Sequence, residues 1–298
     1  MKEQNRIMNI LRLFGMDSLA WSLRRFYCPV NKDDLVLEIG GGNNPYSRAN
    51  VLCDAYLNTV ERHYEPLASD RKTVLAFGEK LPFKNNAFDF VIASHVLEHS
   101  VDPEKFLNEI QRVGRAGYIE TPAAIFERFF NYPMHRLEVC HKNGELVIRK
   151  KIGPTQDLEL AEMISLVSTD IARLVSQKPF DFHVRYYWNK KQGGINFRIV
   201  NPGYSFDWQP EDDRSGGMPK MSIKETLRRN MIKMVRFIFS QNKRNKKIKL
   251  IDYLVCPECL SGISEKEDRF FCVGCQRGYN KIKEGLVDFI DYENFNSR

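Results

Sequence analysis

A chain of 298 residues with 43% apolar content suits one mid-sized globular domain plus a smaller one. It has no run of about 18 apolar residues, which excludes a membrane-spanning helix, and its charge-interrupted N-terminus lacks the pattern of a secretion signal. A cytoplasmic protein is expected. The formal net charge of +7 is uneven. Lys220 to Leu250 holds eleven Lys or Arg against one acid, Glu225, so the remainder is net acidic.

Gln4 to Phe26 has amphipathic helical spacing, broken near Gly15. It reads as a helix packed on the core, with a lid or a membrane-surface contact as the alternative. Leu35 to Ile39 is an apolar run broken by one acid, Glu38, and reads as a buried parallel strand. Gly40, Gly41 and Gly42 follow at once, and such glycines let backbone turn sharply and approach a ligand closely. A Gly-rich turn after a first strand suits a dinucleotide or S-adenosylmethionine. Glu38 favours the second, since a carboxylate there repels a pyrophosphate and attracts ammonium and sulfonium charges. Asn44 stands where the dinucleotide fingerprint has its third glycine, and Asn also tolerates left-handed backbone.

Val51 to Asp54 is a second short strand ending in an acid, placed to accept the hydroxyls of a ribose. The eight residues 43–50 are too few for a helical crossover, so a turn is expected there. Thr73 to Phe77 is a third strand, with Phe77 either stacking on adenine or lying in the core. Phe88 to Ser94 is a fourth, running into His95-Val96-Leu97-Glu98-His99. Pro103 to Val113 is a helix with Phe106, Leu107, Ile110 and Val113 on one face, and Gly117 to Pro122 is a fifth strand. Alternating strands and helices imply a mostly parallel sheet with ligands at the strand C-termini.

Leu137 to Lys151 reads as a hairpin turning at Lys142-Asn143-Gly144. Leu158 to Val175 reads as an amphipathic helix. Phe182 to Trp188 and Gly194 to Val200 read as a second hairpin around Lys190 to Gly193, supplying strands six and seven of the main sheet. Tyr132 to Arg136 would then lie in an insertion, either as an anchored loop or as a site for an anionic or hydroxyl-bearing substrate. Ile223 to Phe239 is helical, with Leu227, Met231, Met234, Val235 and Ile238 on one face, followed by a polar basic run. This stretch is a solvated linker, or a surface for RNA, anionic lipid or an anionic glycan carrier.

Cys256-Pro257-Glu258-Cys259, twelve further residues and Cys272-Val273-Gly274-Cys275 give two C-x2-C pairs. Four thiolates at this spacing fit tetrahedral zinc, and four sulfur ligands leave no open position, so the site is structural. Cys28, Cys53 and Cys140 read as packing residues.

The combination Glu38 to Gly42 (EIGGG), Asp54, Gly78 to Phe83 (GEKLPF), Phe88 to Val91 (FDFV) and His95 to His99 (HVLEH) resembles the class I S-adenosylmethionine-dependent methyltransferases, nearest the ubiquinone-biosynthesis-type subgroup. It covers roughly residues 35 to 122. The resemblance implies an α/β, Rossmann-like seven-stranded sheet. Glu38, Gly40 and Gly42 would hold the methionine end of the cofactor, Asp54 the ribose, and Gly78 and Glu79 the adenine. Phe77 departs from the subgroup, which often has an acid there. His95 would shape the methionine pocket or act as a base. Leu254 to Phe289, with Gly278-Tyr279 and Glu284 to Phe289 beside the cysteines, resembles the zinc ribbons that activate tRNA, ribosomal RNA and protein methyltransferases. A generic nucleic-acid-binding ribbon is the rival reading, which the acid-rich Ser264 to Asp268 disfavours.

HVLEH also fits the H-x-x-E-H zinc-peptidase pattern, but its place directly after a buried strand argues against that use. The expected organisation is a methyltransferase domain over 1–215 with an insertion at about 123–180, a basic helical linker over 216–249 and a zinc-ribbon domain over 250–298. The expected reaction is methyl transfer to a hydroxyl of a small molecule or glycan, with His99 and then His95 as candidate bases. No amide-nitrogen motif of the Asn-Pro-Pro-Tyr type follows the fourth strand, and Asn201-Pro202-Gly203-Tyr204 comes too late to serve. RNA methylation through the basic linker, and a non-catalytic binder of the same fold, are the alternatives.

Overall fold

The computed structural model describes residues 5–57, 59, 66–68, 70–153, 162–164, 166–208, 223–267 and 269–294. Helix α1 (Arg6–Leu13) is capped by Asn5, whose side chain accepts from Met8 N at 2.8 Å. It buries Met8 but leaves Ile7, Ile10 and Leu13 exposed, and α2 (Asp17–Leu23) follows. Strands β1 (Val36–Ile39) and β2 (Val51–Asp54) are buried along their whole length, Glu38 included, which is the pattern of strands covered on both faces. As expected, a turn and not a helix joins them. Next come β3 (Lys72–Leu75), β4 (Phe90–Ser94), α3 (Pro103–Val113) and β5 (Ala116–Pro122). Pro103 opens α3, and Phe106, Leu107, Ile110 and Val113 are at most 1% exposed, so one face of the helix carries its attachment.

Helix α4 (Ala124–Phe130) precedes the hairpin of β6 (Leu137–Lys142) and β7 (Glu145–Lys150). The hairpin turns where Asn143 and Gly144 take φ of +53° and +78°, the sign a two-residue primed turn requires. Then follow α5 (Ser168–Gln177), β8 (His183–Asn189), β9 (Phe197–Ile199), α6 (Ile223–Phe239), α7 (Asn242–Lys247), β10 (Ile263–Lys266), β11 (Arg269–Cys272), β12 (Arg277–Lys283) and β13 (Leu286–Asn294).

The chain forms two compact units, and β4 and β5 contribute residues to both. One unit comprises Val30–Ile92, Lys105–Ala116 and Asp213–Arg298. Its strands are ordered β10-β11-β12-β13-β3-β2-β1, with β1 next to β4. β1, β2, β3 and β13 run parallel, whereas β10 to β13 are antiparallel. The cysteine-bearing region therefore continues the Rossmann-like sheet: Leu286, Val287 and Asp288 of β13 pair with Thr73, Val74 and Leu75 of β3. It also grips the segment after β3. Phe83 bridges Leu254, Val255 N donates to Pro82 O at 3.0 Å, and Lys80 meets Glu258 at 3.0 Å.

The other unit comprises Met1–Pro29, Ala93–Glu104 and Gly117–Asp212. In it β8 lies beside β5, and β6-β7-β9 form a separate sheet. Here the expected hairpin over 182–200 is corrected. Lys190–Gln192 make a 3-10 turn, Gly193 and Gly194 take φ of +99° and +77°, and Asn196 N donates to the Tyr186 hydroxyl. The chain thereby leaves β8, and β9 pairs in parallel with β7 through Leu146↔Phe197 and Ile148↔Ile199. An apolar partner strand competes successfully with the local return, and the further parallel strand of the main sheet is β13. Of the expected helix over 158–175, residues 162–164 are helical, 166–167 turn, and α5 runs on from Ser168 and buries no side chain, while residues 158–161 and 165 lie outside the described residues. Cys140 is exposed, unlike Cys53, because it falls on the open half of β6.

Candidate functional site

In the first unit, two carboxylates and a Gly-rich turn meet at the C-terminal ends of β1 and β2. Gly40 and Gly42 take φ of +70° and +55°, a conformation that side chains resist. A Cβ on Gly41 would lie 3.2 Å from the Glu38 carboxyl carbon. Asn44 shows no positive φ, so its left-handed tolerance is not used. Glu38, 1% exposed, accepts from Tyr46 N at 2.7 Å, which fixes one oxygen against the turn. Asp54 is 7% exposed and accepts from Gly42 N and Tyr56 N, each at 3.2 Å. The acid that ends β2 therefore also braces the glycine turn that ends β1.

β3 stops at Leu75, and Phe77 lies outside the core at 42% exposure, its ring edge-on to Tyr56 with centroids 6.2 Å apart. Gly78 is buried, and a Cβ there would come within 2.3 Å of the Phe106 ring. Glycine at 78 thus lets α3 approach the chain closely, and Glu79 beside it is half-buried.

The four cysteines of the two C-x2-C pairs converge. Their sulfurs all lie within 4.8 Å of one another, with Cys256 to Cys275 at 3.6 Å and Cys259 to Cys272 at 3.3 Å. Tetrahedral zinc with Zn–S near 2.3 Å places its sulfurs about 3.8 Å apart, so the donor set fits zinc. Gly274 N and Cys275 N both donate to Cys272 Sγ at 3.3 Å, and the Tyr279 hydroxyl lies 3.0 Å from Cys256 Sγ. Such contacts orient thiolates from outside the ligand sphere. Gly274 has no room for a side chain, since a Cβ would meet Ser261 Oγ at 2.3 Å.

In the second unit, His95 follows β4 with φ of +56°, uncommon for an L-residue and a form of strain that collects at functional positions. The turn sets its ring between two buried acids: Nδ1 is 3.4 Å from Glu98 and Nε2 is 3.3 Å from Glu120. Glu120 is fully buried and further bound by Arg24 at 2.9 Å, Ser94 at 2.9 Å and the Tyr118 hydroxyl at 2.5 Å. Burial opposes charge on His95, yet its bonds to Glu120 and Glu98 outweigh that and hold its pKa up at about 9. Burial likewise opposes charge on Glu98, and the His95 contact brings its pKa down to about 2. His95 is an imidazolium at neutral pH.

His99 meets the His135 ring edge to face with centroids 4.7 Å apart. His135 is bound by Glu127 at 2.5 Å, and Glu127 is paired with the fully buried Lys151 at 2.7 Å. Donor atoms of Glu98, His99 and His135 lie within 4.8 Å of one another, a second set of metal-ligating type. Arg136 N donates to Glu98 O at 2.7 Å, so the Tyr132 to Arg136 segment is built into this cluster.

Sequence reasoning missed Glu120, Glu98 and Arg24. The signal for Glu120 was present: one acid inside an otherwise apolar strand, the same grammar that marked Glu38. Arg24 had none, because its contact spans 96 positions.

The His95 pairing links stability to pH. The unfolded imidazole titrates near 6.5 and the folded one near 9. The pairing therefore contributes fully below the lower value and is lost as pH rises through the higher one. The urea midpoint of the wild type is expected to fall between about pH 6.5 and 9 more than that of His95→Gln. Equal slopes would remove the charged pairing.

Residues 37–119 match the family model described as methyltransferase domain. With the parallel strands, the Gly-rich turn and the two strand-end acids, this stretch is an S-adenosylmethionine-dependent methyltransferase domain of the Rossmann-like class. An uncharacterized protein of Methanocaldococcus jannaschii is 33% identical over 84 residues, covering 27% of this chain and 40% of that protein, so the chain spans well under two thirds of the relative's length. Among solved structures, a chain from the complex between the Haloferax volcanii Trm112 methyltransferase activator and a protein provisionally described as a methyltransferase superposes with TM-score 0.30 and 16% identity. That match covers 45% of this chain and 73% of that one. The YcgJ protein of Bacillus subtilis gives TM-score 0.29 and 20% identity, covering 40% and 60%.

Proposed function

We propose that the protein transfers the methyl group of S-adenosylmethionine to a hydroxyl of a small molecule or glycan. The observation that carries this reading is the pairing of Glu38 and Asp54 around the left-handed glycines at the ends of two adjacent parallel strands. In this reading Glu38, Gly40 and Gly42 hold the methionine end, Asp54 the ribose hydroxyls, and Gly78 and Glu79 flank the adenine, with Phe77 and Tyr56 as exposed rings nearby. The cofactor, when bound, supplies an electrophilic methyl on a sulfonium, and the protein aligns the nucleophile with it. His95 already carries its proton at neutral pH, so the role of base falls to His99 and His95 positions Glu98 and Glu120. The cysteine region, paired along β3, takes in cis the place that an activator ribbon would take on a separate methyltransferase.

The test is transfer of labelled methyl from S-adenosylmethionine to hydroxyl-bearing acceptors and to RNA. His99→Ala is expected to lower kcat by roughly 10²- to 10⁴-fold, the range of general base catalysis, with unchanged affinity for S-adenosylhomocysteine. Label recovered on a nucleobase nitrogen of RNA would replace the hydroxyl reading.

A further inference from the structure

Helix α6 has two faces that differ in kind. On one, Arg236 is 8% exposed, donates to Asn43 O at 2.9 Å and lies 3.5 Å from the Asp70 carboxylate. Just past the helix end, Ser240 accepts from Arg71 at 3.0 Å. This face pins the helix to the loop that carries the Gly-rich turn. At about 100° per residue, Leu227, Met231, Met234 and Ile238 fall within about 60° of one another and roughly opposite Arg236. They are 58% to 65% exposed, and Phe237 and Phe239 beside them are 62% and 64% exposed. The stripe is therefore exposed along its length.

The helix and the segment that follows it are cationic: Lys233, Lys243, Lys246, Lys247 and Lys249 are all exposed, and the sole acid of residues 220–250 is Glu225. A second copy docking on this stripe would set two cationic surfaces against each other. RNA would satisfy the lysines and leave the four aliphatic side chains in water. An anionic lipid surface satisfies both, because headgroups meet the lysines while the stripe enters the acyl boundary.

We propose that α6 lies in the headgroup plane of an anionic bilayer, with Leu227, Met231, Met234 and Ile238 inserted and the lysines of α6 and α7 on the phosphates. The Arg236 bond to Asn43 then holds the Gly-rich turn at a fixed distance from that surface. This inference stands independently of the methyl acceptor.

The test is co-sedimentation of the full chain with vesicles of phosphatidylglycerol mixed with phosphatidylcholine, against phosphatidylcholine alone. Binding is expected to the mixed vesicles, with weakening as salt rises. The double variant Met231→Glu, Met234→Glu is expected to partition at least about tenfold less, since it removes two apolar anchors and adds repulsion. Its zinc content and affinity for S-adenosylhomocysteine stay at wild-type values, which separates lost anchoring from misfolding. The triple variant Lys243→Gln, Lys246→Gln, Lys247→Gln is expected to bind mixed vesicles more weakly without altering the stripe. No pelleting with mixed vesicles would overturn the proposal. So would equal pelleting of the double variant, a dimer in solution that the double variant dissociates while vesicles stay unbound, or RNA binding without vesicle binding.

Discussion

Replacing Asp54 with Ala is expected to weaken S-adenosylhomocysteine binding about a hundredfold, read by calorimetric titration. Two contributions combine. Hydrogen bonds from neutral hydroxyls to a carboxylate contribute about 1.5–3 kcal/mol each, and a ribose offers two, so roughly 3 kcal/mol is at stake. The same carboxylate accepts from Gly42 N and Tyr56 N, so its loss also loosens the glycine turn. Asp54→Asn keeps an acceptor of the same shape and is expected to lose only about tenfold. The urea midpoints of both variants separate local loss from unfolding. Unchanged affinity in Asp54→Ala would detach the cofactor from the ends of β1 and β2. No binding at all by folded wild type would favour the non-catalytic scaffold.

Stripping the metal is expected to have the largest effect on stability. Protein purified without added metal should carry about one zinc per chain. Structural zinc contributes apparent free energies of about 10–16 kcal/mol at neutral pH, as large as the whole stability of a typical domain. The cysteine region is not an appendage that can unfold alone. β13 pairs with β3, and Val255 and Glu258 hold the Gly78 to Phe83 segment through Pro82 and Lys80. Chelation should therefore lower the thermal midpoint by at least about 10 °C and weaken S-adenosylhomocysteine binding with it. Folded protein with almost no metal, or a chelated chain with an unchanged midpoint, would dispose of the zinc reading.

Much of the cofactor half was legible in the residues. Short apolar runs carrying one acid near the C-terminal end read as central strands, and Glu38, next to last in β1, and Asp54, last in β2, lie there. The short stretch 43–50 left no room for a crossover helix, and the structure has a turn there. The spacing of Phe106, Leu107, Ile110 and Val113 fixed a helix and its buried face together. The buried ionic cluster was less legible. His95 was readable as a residue with a role but not as a cation, because its charge state comes from Glu98 nearby and Glu120 twenty-five positions on.

The sequence alone determined what local chemistry dictates: the Rossmann-like strands, a sharp glycine turn after the first of them, and four thiolates at metal-binding spacing. These follow from side-chain sterics, burial of apolar runs and ligand count, each acting within a few residues. Only the tertiary structure decided which strand completes which sheet. β9 leaves β8 for the edge of β7, and β13 crosses from the cysteine region to pair with β3. Edge pairing is a competition among distant backbones with similar local propensity, and its outcome depends on which apolar face is free. The same competition left one face of α6 pinned by Arg236 and the opposite face in solvent.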